Sequence, residues 1–208
     1  MKQLLVLVSF LMLGTTANAQ WWKRIKGNGN MTTQTRSTSD YDKVAVAGFF
    51  DVTLVAGSEG EITLKGEENL LEHISVSVKN GVLVIKVKDN INLSTSWNKS
   101  ITATVPIEEI EGVKLSGSGD ISSAMTLKAA SFEAVISGSG DIDLSVDTQA
   151  LKAQVSGSGD IDLSGMAKDV SIKVSGSGDV NAYNLQAVNA TVVVSGSADV
   201  KLSVSGLL

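Results

Sequence analysis

The sequence predicts an all-β protein, a parallel β-helix (β-solenoid) built from coils of about 20 residues. Two observations predict this fold. The phrase SGSGD, or a close variant, occurs five times, with aspartates spaced 21, 19, 19 and 20 residues apart. Within each repeat, apolar or small residues alternate with polar ones, as in a strand with one buried face. The aspartates of the phrase are Asp120, Asp141, Asp160, Asp179 and Asp199.

Residues 1–19 are predicted to be a signal peptide. Lys2 precedes an apolar run of about ten residues, which is too short to span a bilayer. Ala17-Asn18-Ala19 then has the small-x-small form of a cleavage site. The mature chain should begin at Gln20 and contain no transmembrane segment. We expect it in the periplasm, at the outer membrane, or at the cell surface or beyond.

Residues 20–40 are polar and lack periodicity, which predicts a flexible leader. This segment contains both arginines of the chain, Arg24 and Arg36, together with Trp21 and Trp22. A basic segment with tryptophans could touch an envelope surface. The alternative is an exported N-terminus without a function of its own.

Residues 41–208 are predicted to form the solenoid domain. Its first part, 41–112, contains degenerate coils and a β-hairpin at Asn80-Gly81, a sequence that favours a type I′ turn. Its second part, 113–208, contains the SGSGD repeats.

The third repeat shows how the phrase is interpreted. Leu151, Ala153 and Val155 share one parity with Gly157 and Gly159, so both glycines are predicted to face inward. A glycine lets the chain bend and leaves room for neighbouring backbone. The aspartate that follows is expected to close an Asx-type turn on the next amides. The phrase is therefore interpreted as a corner that needs no ligand.

The pieces GFFDVTLVAG, VKNGVLVIKV, SGSGDI and SGSADV, spread over residues 42–204, resemble a known family. It is the putative auto-transporter adhesin "head GIN" domain family of bacterial envelope proteins. The resemblance implies a right-handed, single-stranded β-helix, export, and an adhesive or binding role. It implies no catalytic residues and no defined ligand.

Composition excludes several classes of function. The formal net charge is −5, and an acidic exported protein is a poor candidate for nucleic-acid binding, which needs a basic stripe. The chain has no cysteine, which excludes disulfides and thiolate metal sites. The GSGD phrase also lacks the Lys-Ser/Thr of a phosphate-binding loop.

The sequence therefore predicts a non-catalytic binding or adhesion module without a cofactor, whose partner is an envelope protein or polysaccharide. The predicted binding face is the regular surface of outward serines and aspartates, with one aromatic residue outside the repeats. Its candidate residues are Asp120, Asp141, Asp160, Asp179, Asp199 and Trp97. For Trp97 the alternative is a loop residue folded over the flank of the solenoid.

A patch of four carboxylates supports two further hypotheses. Its members are Asp141, Asp143, Asp160 and Asp162, which adjacent coils would bring together. Carboxylate oxygens suit Ca²⁺, so calcium binding is one hypothesis. The other is a polysaccharide-active enzyme that uses one carboxylate as acid and another as base. The single histidine, His73, makes no triad and is expected in a turn or at the surface.

The end of the repeats suggests self-assembly. The last coil is expected to present an open strand edge ending in Leu207-Leu208, and exposed edges pair with other chains. A homo-oligomer formed through this edge, or a structural assembly module, is the remaining hypothesis.

Overall fold

The computed structural model describes residues 23–206. Within this range the chain forms fifteen strands and one short helix. They are β1 (Lys23–Lys26), β2 (Met31–Ser37), β3 (Lys43–Gly48), β4 (Asp51–Ala56), β5 (Glu61–Glu67), α1 (Glu68–Leu71), β6 (Ile74–Lys79), β7 (Val82–Val87), β8 (Ile91–Ser94), β9 (Thr102–Ile107), β10 (Gly112–Gly117), β11 (Ile121–Gly138), β12 (Ile142–Gly157), β13 (Ile161–Gly176), β14 (Val180–Gly196) and β15 (Val200–Val204).

The main sheet has thirteen strands and is a nearly closed barrel of mixed pairing. Its longest path runs β15-β14-β13-β12-β11-β10-β3-β7-β6, and β4, β9, β5 and β2 branch from it. The pairs β2–β5, β5–β9 and β6–β7 are antiparallel. The first residues of β11 pair with β4, so the sheet turns back toward the N-terminal strands. A separate two-stranded parallel sheet joins β1 to β8.

The predicted fold, a right-handed single-stranded parallel β-helix, is therefore wrong. The period of about 20 residues belongs to the repeats, and the prediction extended it to the whole chain. In the N-terminal half the strands are shorter, and the tight turn between β6 and β7 makes that pair antiparallel. Strand β5 pairs antiparallel with β2 and β9, from which other elements separate it in sequence. The predicted hairpin at Asn80-Gly81 is confirmed: β6 and β7 are antiparallel, with φ of 51° at Asn80 and 73° at Gly81.

The repeats themselves pair in parallel, each with the next. Gly138 of β11 lies opposite Gly157 of β12, which lies opposite Gly176 of β13, and Gly176 lies opposite Gly196 of β14. The predicted inward parity is confirmed for the apolar positions, because residues such as Leu151 are buried. The apolar interior of the barrel is thus built from alternate residues of β11 to β14.

The two glycines of each phrase differ in their surroundings. Gly157 is partly exposed and has φ of +134°, whereas Gly159 is buried, so only the second glycine faces inward as predicted. A Cβ atom on Gly157 would lie 2.1 Å from the carbonyl oxygen of Gly138, and one on Gly159 would lie 2.0 Å from that of Gly140. Between the inner repeats, close stacking of one corner on the next therefore leaves no room for a side chain at either position; the last phrase, SGSAD, has Ala198 in the second one.

The predicted flexible leader is ordered where the structure describes it. Strand β2 pairs antiparallel with β5 over seven residues, and β1 pairs with β8 over four. The sequence of β2, MTTQTRS, is polar on both faces, so alternation of hydrophobicity could not reveal this strand. Three features of the sequence lie outside the described residues: the predicted signal peptide (residues 1–19), the tryptophans Trp21 and Trp22, and the C-terminal Leu207-Leu208. Between residues 23 and 206 no helix is long and apolar enough to cross a membrane.

Candidate functional site

The aspartates of the repeats form a hydrogen-bonded column along the corners. The Oδ1 atom of each carboxylate accepts the backbone N–H of the aspartate in the next repeat. The N···Oδ1 distances are 3.0 Å from Asp141 to Asp120, 2.9 Å from Asp160 to Asp141, 2.7 Å from Asp179 to Asp160 and 2.8 Å from Asp199 to Asp179. The carboxylates thus link neighbouring repeats, whereas the sequence predicted that each would close a turn within its own corner.

Asp51 extends this column into the N-terminal half. Its Oδ1 atom accepts the N–H of Asp120 at 3.3 Å. Burial raises the pKa of Asp51, and this outweighs the hydrogen bond from Asp120, which lowers it. The predicted binding face does not include Asp51, although the similarity of DVTL at 51–54 to DIDL at 160–163 was a signal for it. We call Asp51 and the five repeat aspartates the aspartate column.

The outward serines lie in parallel columns beside the aspartates. Ser137 pairs in register with Ser156, Ser156 with Ser175, and Ser175 with Ser195. These four serines and the repeat aspartates are exposed. We call this surface the serine-aspartate face. Its members are Ser116, Ser118, Asp120, Ser137, Ser139, Asp141, Ser156, Ser158, Asp160, Ser175, Ser177, Asp179, Ser195, Ser197 and Asp199.

A small cleft opens beside the last repeats of this face. It has a volume of about 210 Å³. Asp162 is part of its wall, and its Oδ1 atom accepts a hydrogen bond from the side-chain amide of Asn181 at 2.7 Å. The polar residues around the cleft are Asp160, Asp162, Asp179, Asn181, Asp199 and Lys201.

The four carboxylates predicted as a calcium or catalytic patch lie on neighbouring repeats. Asp143 is directly opposite Asp162 in the register of β12 and β13. Asp141 and Asp160 each accept a backbone N–H from the next repeat. Over residues 23–206, no group of three or more histidine, aspartate or glutamate side chains is arranged to hold a metal ion. The calcium hypothesis stays a prediction.

A polysaccharide site would also need aromatic or histidine side chains beside the carboxylates, and the chain has few of them. His73 lies in the turn before β6, as expected, with Nε2 at 3.5 Å from Oε1 of Glu72. Phe132 is buried and cannot act as a platform for a sugar ring. Tyr183 is exposed on β14, on the opposite parity to the core.

Trp97 lies in the turn after β8, and 90% of its surface is exposed. The predicted alternative, a side chain folded over the flank, is therefore wrong. The Glu67 carboxylate fixes this turn by two hydrogen bonds. Its Oε2 atom accepts the backbone N–H of Ser96 at 2.8 Å, and its Oε1 atom accepts the Ser96 hydroxyl at 2.6 Å. We call residues 96–99 the Trp97 turn.

Glu67 is completely buried, and sequence reasoning did not identify it. Burial raises the pKa of Glu67, but hydrogen bonds from Ser96 and Gly29 and the charge of Lys99 together lower it below its usual range. A Cβ atom on Gly27 would lie 2.1 Å from the carboxylate, so the loop after β1 also packs on it. Its partners are distant in sequence, so no local pattern could reveal the role of Glu67.

A second acidic group surrounds a cavity of about 370 Å³ near the start of β3. Within it, the Glu59 carboxylate accepts the backbone N–H of Tyr41, and the Tyr41 hydroxyl donates to the carbonyl oxygen of Pro106. Burial is the main cause that raises the pKa of Glu59, with the charges of Asp40 and Glu108 adding to it. The acidic residues around this cavity are Asp40, Asp42, Glu59, Glu108 and Glu109.

The last full repeat has an uncovered edge in the described part of the chain. Strand β15 and the residues after it pair with β14 only as far as Val188. Beyond that point Val192 and Val194 lie opposite the buried Ile172 and Val174, yet both are more than 40% exposed. Val193 between them is 53% exposed. The described residues thus have an uncovered apolar edge at 188–196, whereas the predicted edge ended at Leu207-Leu208, outside the described residues.

Comparisons with known proteins agree on a family and a fold. The sequence profile of the family described as "putative auto-transporter adhesin, head GIN domain" matches residues 40–208. No curated protein matches the chain. A solved structure of a putative adhesin from Bacteroides fragilis NCTC 9343 is similar over 86% of this chain and 82% of that one, at 22% identity and a TM-score of 0.78.

Two further solved structures have the same architecture. A putative lipid binding protein from Parabacteroides distasonis ATCC 8503 matches 86% of this chain and 100% of its own, at 21% identity and a TM-score of 0.65. A putative adhesin from Parabacteroides merdae ATCC 43184 matches 86% and 84%, at 18% identity and a TM-score of 0.63. At these identities the likeness shows the fold alone.

The family profile spans most of the described chain, including all the SGSGD repeats and the aspartate column. Its description indicates an adhesion module that is exported or located at a surface. This chain belongs to the family of putative auto-transporter adhesins with a head GIN domain.

Proposed function

We propose that this protein is an exported, non-catalytic adhesion module of the bacterial envelope that binds through its serine-aspartate face. The observation that carries the proposal is the register of the repeats, which places exposed serines and aspartates in parallel columns. Parallel strands repeat at about 4.8 Å, so such columns offer hydroxyls and carboxylates at regular intervals. An extended polymer with its own repeat, such as an envelope polysaccharide, fits this spacing better than a small molecule does.

The contacts of the carboxylates favour binding over catalysis. Asp141 and Asp160 both accept a backbone N–H of the next repeat at Oδ1, so both contribute to the fold. Their second oxygen is available to a partner. An exported location in the periplasm, on the outer membrane or on the cell surface is part of the same proposal.

The test removes the charge of the face without removing its hydrogen bonds. Asparagine keeps a side-chain oxygen, so the triple variant Asp141→Asn, Asp160→Asn, Asp179→Asn should remain folded. The wild type is first tested against a panel of purified bacterial cell-wall and capsular polysaccharides. We expect the triple variant to bind each polysaccharide that the wild type binds at least about tenfold more weakly. Loss of a charge-assisted hydrogen bond of about 1.5–3 kcal/mol accounts for such a change.

The matched control changes three exposed glutamates outside the face: Glu61→Gln, Glu68→Gln and Glu109→Gln. It alters the net charge by the same amount, and its binding should equal that of the wild type. If both triple variants bind equally well, or if no polysaccharide binds the wild type, the serine-aspartate face is not the adhesive surface.

A second candidate function, self-assembly, rests on a different observation. The edge of β14 from 188 to 196 has no charged residue and presents three consecutive exposed valines, Val192 to Val194. Natural edge strands are usually protected by charge, proline or cover. We infer that this edge pairs with the same edge of a second copy, and the test is given below at the scale of the whole molecule.

A further inference from the structure

The Trp97 turn and the basic strand β1 lie side by side, although about 70 residues separate them in sequence. In the parallel pair of β1 and β8, Lys26 is opposite Ser94. The N–H of Gly27 donates to the carbonyl oxygen of Ser94 at 2.8 Å, and the Oγ atom of Ser96 lies 3.2 Å from the carbonyl oxygen of Gly27. The side chain of Trp97 therefore emerges next to the end of a strand whose sequence is KRIK.

The turn that carries Trp97 is rigidly held, and its tryptophan is not part of the core. Glu67 binds both the amide and the hydroxyl of Ser96, and the N–H of Lys99 donates to the carbonyl oxygen of Ser96 at 3.1 Å. Asn98 adopts a φ of 57°, which closes the turn. With 90% of its surface exposed, Trp97 has almost no packing role that would explain a large apolar side chain at this position.

Positive charge is concentrated around this side chain. Arg24 and Lys26 share one parity of β1 and are exposed, and Lys99 follows within the turn itself. Glu67 lies buried beneath the turn, and exposed Glu68 lies across the loop after β1. Exposed Asp89, near the start of β1, forms an ion pair with Lys86 at 2.8 Å. On a chain with a net charge of −5, the end of β1 and the turn after β8 thus offer an anionic surface both cations and an exposed apolar side chain.

We propose that the Trp97 turn and β1 form a membrane-contact tip that docks on an anionic lipid surface. Tryptophan favours the boundary between headgroups and acyl chains, because its ring is apolar and its N–H remains polar. Lysine and arginine beside it are attracted to anionic headgroups. Trp97 projects from a turn with 90% of its surface exposed, which suits insertion into a lipid surface better than the enclosure of a sugar.

This tip is distinct from the serine-aspartate face. The two surfaces share no residue, so an envelope module can attach to its own membrane through one and to a partner through the other. The failure of either proposal leaves the other unaffected.

The test measures cosedimentation of the chain beginning at Gln20, which contains every described strand, with vesicles. The vesicles contain phosphatidylglycerol and phosphatidylcholine in equal parts, or phosphatidylcholine alone. We expect binding to the anionic vesicles that weakens as salt is added. Lys26→Gln and Lys99→Gln should each weaken partition by about fivefold, the factor expected for one basic residue near an anionic surface. Trp97→Ala should weaken it by at least as much.

Matched controls lie on the repeats. Tyr183→Ala removes another exposed aromatic residue, and Lys173→Gln removes another exposed lysine, so neither should change partition. Thermal unfolding of each variant checks that the fold is intact. The proposal is overturned if the wild type ignores anionic vesicles, if Trp97→Ala binds them as the wild type does, or if the tip binds only an acidic polysaccharide such as polygalacturonate.

Discussion

At the scale of single residues, Glu67 shows how a buried charge can stabilise a β structure. Its carboxylate is completely buried, yet three donors from two loops satisfy it: the N–H groups of Ser96 and Gly29 and the Ser96 hydroxyl. Because these donors favour the charged form, they lower the pKa of Glu67 in spite of burial. Glu67 therefore joins the loop after β1 to the Trp97 turn.

Glu67→Gln should lower the free energy of unfolding by about 1–3 kcal/mol at pH 7, because one amide donor then faces another donor in a buried site. The pKa of Glu67 is lower in the folded chain than in the unfolded one. Its contribution is therefore complete above the unfolded value of about 4.3 and is lost as the pH falls through the folded value. Urea unfolding of the wild type and the variant at pH 7 and pH 3 measures both effects.

The control for this prediction is Glu68→Gln, one residue further on and exposed, which should change stability by less than about 0.5 kcal/mol. Equal stability of Glu67→Gln and wild type at pH 7 would contradict the role assigned to the carboxylate.

At the scale of the element, the corner phrase is explained by how closely one repeat approaches the next. The serines face outward, the aspartate holds the next repeat, and the glycines leave space for a carbonyl oxygen. Only the first glycine of a phrase, such as Gly157, needs a positive φ; Gly159 is required for space alone. The phrase is therefore a stacking element, and stacking by itself explains why it recurs in each repeat.

Gly159→Ala should destabilise the protein by about 1–3 kcal/mol, since the Cβ atom would meet backbone, which cannot move aside as a flexible side chain can. The matched control is Gly29→Ala, where φ is +81° but nothing lies within 4 Å of the added atom. In Gly29→Ala the loss of stability comes only from placing alanine at a positive φ, and it should be about 1 kcal/mol. Thermal unfolding of the two variants compares them, and a smaller loss in Gly159→Ala than in Gly29→Ala would refute the stacking argument.

At the scale of the whole molecule, the described residues place the N-terminal strands at one end of the barrel and an uncovered strand edge at the last repeat. Strands β2 to β9 surround one end of the core with mixed pairing, while the edge of β14 from 188 to 196 exposes residues of core parity. The two ends therefore differ in chemistry: one carries the basic Trp97 tip and the other an uncharged, valine-rich edge.

Val193→Lys should abolish a dimer formed through that edge, because a charge on an edge strand opposes pairing with another edge. The mass measured by light scattering for the chain beginning at Gln20 should be that of a dimer in the wild type and of a monomer in the variant. Lys173→Gln, which changes the facing position on β13, is the control and should leave the mass unchanged. A wild type that is monomeric at all concentrations, or a dimer that survives Val193→Lys, excludes this edge as the interface.

The sequence by itself determined the β class, the parallel register of the repeats, the hairpin at Asn80-Gly81 and the inward parity of residues such as Leu151. Each of these follows from local alternation, from turn chemistry or from a repeat length, and all three can be read along the chain. The resemblance to the adhesin family came from the repeated phrases together with GFFDVTLVAG and VKNGVLVIKV in the N-terminal half.

Only the tertiary structure decided the mixed, nearly closed barrel, the strand at 31–37, the burial of Glu67 and the meeting of β1 with Trp97. Each of these depends on which segments become neighbours across long sequence separations, and β2 is stabilised by its pairing with β5 although its own side chains are polar. The hydrogen bonds between paired strands are made by backbone N–H and C=O groups, which nearly every residue has. A pattern of side chains therefore cannot reveal which strand pairs with a polar strand such as β2.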